Sequence, residues 1–317
     1  MARKEDLTDN NTWINSLKLP ILEQVSLAER TTWKIGGAAR WLLQPQSVEQ
    51  LRLLLQRWPD RLPRLLLGGG SNLLIDDNGF AGVVLDLTKH LNRVELQAGH
   101  PDDEVVHVRA DAGVDTRTLA HFARRHGLRG AEFLGGIPGT IGGALRMNAG
   151  AYGSDMQAIL VACDLLDGAG QLHRLPVGHL QMGYRQCGVA SDSIFLSALL
   201  ALRRDDPQAI RERMRTLNQK RRTSQPLRYP SAGSTFKNPC AGPKAWQWIE
   251  MVGMRGAREG GAQVSEQHCN FLLNLGGARA AEVRTLIEQI RSRVWQAGSV
   301  ELALEVKIVG DEGLLSD

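Results

Sequence analysis

Apolar positions along the chain follow two rhythms. Val48, Leu51, Leu54, Leu55 and Trp58 recur every three or four residues, Ser47 with Gln50 reads as a capping-box start, and Pro59 stops the run, so a helix is predicted there. Asp115 reads as the N-cap of a second helix, which turns Leu119, Phe122 and Ala123 inward and ends at Gly127. A basic helix is predicted from 209 to about 222, and near the C-terminus Val283, Leu286, Ile287, Ile290 and Val294 share one helical face. Short apolar or alternating runs predict strands over 65–67, 83–87, 105–110, 159–166, 193–202 and 302–309. Residues 1–27 read as a polar, irregular lead-in, and Asp205, Asp206 and Pro207 as a linker. The chain then divides into units over 28–91, 92–206 and 207–317, with no internal repeat.

Composition narrows the class. A chain of 317 residues with 43% hydrophobic and 23% charged positions carries enough apolar content for two or three folded domains, which excludes disorder. No run approaches the ~20 apolar residues that a bilayer span needs. The charged N-terminus is followed by no apolar h-region, so a secretory signal is not expected and a cytoplasmic location is. Cys163, Cys187, Cys240 and Cys269 stand far apart with no CxxC pair, which argues against a disulfide scaffold or a metal site. The net charge of +4 is mild, so attraction to anions is expected to be local.

The 34 glycines are clustered, and the clusters change the picture. A strand running into Gly68, Gly69, Gly70, Ser71 and Asn72 offers bare backbone amides and a hydroxyl at one spot, which suits a pyrophosphate. Taken alone, that loop is equally an ordinary tight turn. Five more glycines lie between 135 and 143, with Pro138 setting a bend, and two such loops imply one extended anionic ligand between them. Neither cluster reads G-x-x-x-x-G-K-[ST] or G-x-G-x-x-G, so Walker and Rossmann modes are poorly supported.

In chain order, TTWKIGG at 31–37, GGGSN at 68–72, GGIPG at 135–139, MNAGAYG at 147–153, YR at 184–185, AGSTFKNP at 232–239, GGAQVS at 260–265 and EVKIVG at 305–310 resemble the landmarks of the UDP-N-acetylenolpyruvoylglucosamine reductase family, MurB. The resemblance spans about residues 28 to 310, and eight landmarks in order make it specific. It implies an α+β fold: a two-part FAD-binding region of the vanillyl-alcohol-oxidase (PCMH) type and a C-terminal α+β domain for a UDP-sugar, in the shorter type II form. It further implies noncovalent FAD and NADPH as co-substrate. The implied reaction reduces the enolpyruvyl ether of UDP-N-acetylglucosamine to UDP-N-acetylmuramate, in bacterial cell-wall synthesis.

The family's residues carry over position by position. FAD is expected on Gly68, Gly69, Gly70, Ser71 and Asn72, on Gly136, Ile137, Pro138, Gly139, Thr140 and Gly143, and on Asn148, Gly150 and Tyr152. Arg185 matches the arginine that meets the substrate carboxylate as a bidentate, permanently charged clamp. Ser234 matches the proton donor, and Glu305 the C-terminal glutamate, with Glu301 as an outward decoy. Tyr184, Arg222, Lys237 and Asn238 are expected on the substrate, Lys237 and Asn238 at its diphosphate or carboxylate. The family's Tyr-Arg-x-Ser pattern departs here, where Cys187 stands at the fourth position and Gly188 follows it, so the surroundings of Arg185 are expected to differ. The alternatives are an FAD-dependent sugar or alcohol oxidase of the same fold, which needs neither Ser234 nor Glu305, and a nonenzymatic nucleotide or nucleic-acid binder. The basic stretch at 211–222 lacks interleaved aromatics and reads as a solvated helix face.

Overall fold

The computed structural model describes residues 13–17, 19–100 and 102–315; the lead-in expected over 1–12 and at 18 lies outside the described residues. Within that lead-in, residues 21–26 are not irregular. They form strand β1 (Ile21–Ser26), which pairs antiparallel with β2 (Ala38–Leu43) at the edge of a sheet. Its burial is patchy, with most side chains exposed, so the backbone ladder holds it and no apolar rhythm announces it.

After β2, the extended Ser47 accepts the Gln50 amide on its hydroxyl and starts α1 (Val48–Gln56). Gln50 returns its side-chain oxygen to the Gln46 amide at 2.6 Å, so the box is displaced by one residue. Leu51, Leu54 and Leu55 are buried from this helix, contributing on the order of 1.5–3 kcal/mol each relative to exposure. Strands β3 (Arg64–Leu67), β4 (Leu73–Ile75) and β5 (Phe80–Asp86) follow. The first sheet runs β1-β2-β5-β3, with β5 parallel to both neighbours.

The second unit is an antiparallel sheet in the order β12-β11-β13-β7-β6, built from β6 (Val94–Leu96), β7 (Val105–Asp111), β11 (Leu160–Leu166), β12 (Leu172–Pro176) and β13 (Ile194–Arg204). Short β8 (Leu128–Arg129) joins β13, and β9 (Gly150–Ala151) pairs with β10 (Ser154–Asp155). Two helices cover this sheet. Asp115 takes the Arg117 and Thr118 amides to start α2 (Thr116–Arg125), and Gly127 follows at φ +64° as its C-terminal residue. Thr140 caps the short α3 (Ile141–Arg146).

Asp205 to Pro207 is not a linker. Asp206 accepts the Ala209 amide and Pro207 stands at the first turn of α4 (Pro207–Ser224), so acid and proline are helix-start signals here. Helix α4 buries Ile210 and Met214 in the core of the second unit. Beyond it, α5 (Ala245–Met251) and α6 (Ala280–Gly298) pack over β14 (Arg258–Glu259), β15 (Ala262–Val264) and β16 (Leu272–Asn274), with Val283, Leu286, Ile287, Ile290 and Val294 buried as their spacing predicts. The last expected strand is shorter than 302–309. Leu302, Leu304 and Val306 are buried alternately, but residues 302–306 form only one bridge, Leu304 to Phe236, and the chain bends at Glu305. The ladder begins at β17 (Lys307–Gly310), which pairs parallel with β4 of the first unit and antiparallel with β18 (Gly313–Leu314).

Candidate active site

The two glycine clusters touch each other. Ser71 Oγ donates to the Pro138 carbonyl at 2.9 Å, and a Cβ placed on Gly69 would stand 2.7 Å from Gly139 Cα. At Gly70, φ is +58° and a Cβ would overlap the Arg30 carbonyl. Several glycines are therefore required for the loops to meet, before any ligand is considered. Gly136 differs: a Cβ there would meet only Arg221 Cδ, at 3.4 Å. Thr32 closes the same corner, donating its amide to the Gly70 carbonyl at 3.1 Å while its buried hydroxyl has no partner among the described residues. Bare amides from two touching loops and one orphaned hydroxyl fit the oxygens of a dinucleotide pyrophosphate.

Asn148, one of the residues expected on FAD, meets protein through its side chain. Its side chain is fully engaged by protein: Nδ2 donates to the Gly183 carbonyl at 3.1 Å and to Asp155 at 3.2 Å, and Oδ1 accepts the Gln157 amide at 2.9 Å. Through Gly183 it steadies a tight turn in which Gly183 and Gln186 exchange backbone hydrogen bonds of 3.1 and 3.3 Å. That turn presents Tyr184 and Arg185, the latter at φ +56°, a conformation a non-glycine residue holds only when its surroundings impose it. At Gly188, which follows Cys187 at the departing position, a Cβ would lie 2.7 Å from Gln181 Cβ, so the turn needs a glycine there. Tyr152 is half exposed and lines a separate cleft of about 890 Å³ together with Arg129, Phe133 and Arg213. That cleft is roomy, yet Arg185, Ser234 and Glu305 do not line it.

Arg185 and Glu305, far apart in sequence, meet at 2.6 Å through Nε and Oε1, and Arg185 Nη2 donates to the Gly150 carbonyl at 3.1 Å. Burial raises the Glu305 carboxyl above its ordinary range, opposed by the charges of Arg185 and then Lys237. Glu301 is exposed. Asn72, at the end of the first glycine loop, donates from Nδ2 to the Glu305 carbonyl at 2.9 Å and accepts the Lys307 amide at 2.9 Å, which ties the loop to the bend. The Glu305 amide donates to the Thr235 carbonyl at 2.9 Å, beside Ser234, and the Lys237 amide donates to the Ala303 carbonyl at 2.9 Å. The Ser234 hydroxyl bonds to no described residue. Asn238 bridges outward, donating to the Tyr184 hydroxyl at 3.2 Å and accepting the Ala245 amide at 3.1 Å.

Arg222 stands apart from this cluster. Its side chain lines a cavity of about 290 Å³ with Arg117, His121, Gly135 and Arg221. Arg221, its neighbour, is not among the residues expected at the site; it abuts Gly136, and its side chain pairs with the neutral Gln225. Thr32 and Asn270 are further additions. Thr32 lies within the motif at 31–37, whereas nothing in the sequence marks Asn270, whose role depends on a contact with residues 34 positions away.

Comparison with known proteins follows the same layout. Residues 39–176 match the family described as FAD binding domain, and residues 225–309 match UDP-N-acetylenolpyruvoylglucosamine reductase, C-terminal domain. The UDP-N-acetylenolpyruvoylglucosamine reductase of Magnetococcus marinus is 50% identical over 303 residues, covering 96% of both chains. That of Carboxydothermus hydrogenoformans is 40% identical, covering 97% of this chain and 98% of the relative. The crystal structure of UDP-N-acetylenolpyruvylglucosamine reductase (MurB) from Thermus caldophilus superposes with a TM-score of 0.76 at 31% identity, over 92% of this chain and 98% of that one.

Proposed function

Since the chain belongs to the UDP-N-acetylenolpyruvoylglucosamine reductase (MurB) family, FAD-dependent oxidoreductases of peptidoglycan precursor synthesis that use NADPH as co-substrate, we propose that Arg185, Ser234 and Glu305 act on the enolpyruvyl group of the UDP-sugar. FAD, which the touching loops at 68–72 and 136–143 would hold, would supply hydride chemistry between NADPH and the terminal vinyl carbon of the substrate. Charge then gathers on the adjacent carbon and in its carboxylate, and the protein must stabilise that charge and supply one proton.

Arg185 is suited to stabilising the charge. Its Nε and Nη2 are held by Glu305 and Gly150, which aims the guanidinium and leaves Nη1 for the substrate carboxylate. Glu305, with its proton held more firmly than an ordinary glutamate's, can donate a hydrogen bond to the growing charge. Ser234 is suited to supplying the proton. A hydroxyl is a weak acid in water, but a carbanion is a stronger base than an alkoxide, so transfer runs downhill once the geometry is right. Adding hydride to one carbon and the serine proton to the other completes the reduction, and solvent returns a proton to Ser234. Lys237, next in sequence to the Asn238 that bonds Tyr184, is suited to the substrate's diphosphate, and Arg222 to its far end. Asn72 serves the cofactor loop with its backbone and Glu305 with its side chain.

The observation that carries this reading is the 2.6 Å Arg185–Glu305 pair, held by backbone contact against the segment that bears Ser234. The expected boundary at 207 moves, because α4 packs into the core of the second unit; we assign 28–91 and 92–224 to the cofactor and 225–317 to the UDP-sugar. Among the described residues no helix is long and apolar enough to cross a membrane; we infer a cytoplasmic enzyme that binds neither bilayer nor nucleic acid. A titration tests the reading. The purified protein should be yellow, lose its visible absorbance with NADPH and regain it with the enolpyruvyl UDP-sugar without oxygen. Absorbance that only oxygen restores would point to an oxidase.

A further inference from the structure

Residues 235–237 lie between two clamps, and every backbone polar group from the Thr235 amide to the Lys237 amide is engaged. On one side the Thr235 carbonyl accepts the Glu305 amide at 2.9 Å and the Lys237 amide donates to Ala303. On the other side a single residue supplies the whole partner edge. The Asn270 carbonyl accepts the Thr235 amide at 2.8 Å, its Oδ1 accepts the Phe236 amide at 2.9 Å, and its Nδ2 donates to the Phe236 carbonyl at 2.8 Å. Asn270 is 4% exposed and Phe236 1%, so water does not compete for these bonds. Asn270 is itself held in a turn closed by the Ser265 amide on the Phe271 carbonyl at 2.8 Å.

We infer that Asn270 is a positioning residue that fixes the Ser234 hydroxyl for proton transfer, its side-chain amide standing in for a neighbouring strand against residues 235–236. The inference rests on Ser234 being the proton donor. A planar amide has a donor and an acceptor side by side, as a strand backbone does; an ionised carboxylate of the same shape accepts but does not donate. Ser234 directly precedes the clamped segment, next to Thr235, whose carbonyl takes the Glu305 amide, so loosening the clamp moves the hydroxyl relative to the carbon it must protonate. A displacement of about 1 Å is enough to cost roughly 10²-fold in rate.

The test uses the FAD-loaded enzyme and rapid mixing, with bleaching by NADPH and recolouring by the enolpyruvyl substrate measured separately. Asn270→Asp should recolour roughly 10²-fold slower near neutral pH, bleach at the normal rate, and recover recolouring as pH falls. Burial and the facing Phe236 carbonyl push the introduced carboxyl's pKa up, and once protonated it restores both bonds. Asn270→Leu should be slow at every pH. His268, which accepts the Asn270 amide, Cys269 and Arg255 beside it, and Lys237 and Glu305 along the clamped segment are the same in both variants, so the difference between them isolates the introduced group. Normal recolouring by Asn270→Asp at all pH values, equal slowing of both half-reactions, or a loss without recovery in acid would overturn the inference. Should these variants not fold, amide exchange in the unaltered holoenzyme decides: the Thr235 and Phe236 amides should exchange slowly, and exchange at loop rates would overturn the clamp. Ser234→Ala separates the two claims, because normal recolouring by that variant would remove the proton donor itself, whatever Asn270 does.

Discussion

Glu305 is pulled two ways. Burial favours its neutral form, Arg185 and Lys237 favour the charged one, and burial prevails. The folded carboxyl therefore keeps its proton to a higher pH than the unfolded one, whose ordinary value is 4.5, and between those limits the folded state binds more protons. Its contribution to stability falls as pH rises through that window and is level above it. Glu305→Gln lacks this titration, so unfolding measured across pH on the cofactor-free proteins should show the stability difference moving in the variant's favour as pH rises, even as the variant loses activity. A difference that is flat, or that moves the other way, would mean the carboxyl is not raised. Arg185 shows the same exchange of local comfort for placement: its φ of +56° is tolerated because Glu305, Gly150 and the Asn148-held turn fix it from three sides.

At the scale of elements, the glycines of the loops divide into those the fold needs and those, such as Gly136 and Gly143, where a Cβ would meet nothing closer than 3.4 Å. Gly136→Ala meets nothing closer than 3.4 Å, so it should fold normally and purify with little FAD, whereas Gly139→Ala, at φ +125° and 2.8 Å from Ser71 Oγ, should lose thermal stability as well. Full FAD content in Gly136→Ala would exclude that stretch from the cradle. Elements with local chemistry are legible in the sequence. Ser47 and Asp115 cap the helices their spacing assigns to them, and the buried face of α6 follows its periodicity. Elements held by distant partners are not. Strand β1 has no apolar rhythm because the ladder with β2 holds it and only Ile21 and Val25 reach the cores, and the alternation of Leu302, Leu304 and Val306 mimics a strand although its partners are a clamped segment and not a sheet. The same limit applies to the site: Arg185, Ser234 and Glu305 belong to sequence motifs, while Asn270 matters only through what it faces.

The molecule as a whole is assembled around that site. Trp33, Ile35 and Leu74 of the first unit lie in the core of the third, and β17 extends β4. Asp77 accepts the Ala280 and Ala281 amides at 2.7 and 3.0 Å, so the first unit caps α6 of the third. Removing a cap costs about 0.5–2 kcal/mol, and Asp77→Ala should lower the melting temperature of the apoprotein by several degrees; no change would mean that the units are joined elsewhere. These joints bring Asn72, Arg185 and Glu305 together from three parts of the chain, near a serine whose hydroxyl bonds to no described residue. The most direct measurement is rapid mixing of Ser234→Ala. Bleaching by NADPH should proceed nearly as in the unaltered enzyme, and recolouring by the enolpyruvyl substrate should slow by ~10²–10⁴, the usual worth of a positioned general acid. Recolouring at the normal rate would contradict the assignment of Ser234 as proton donor.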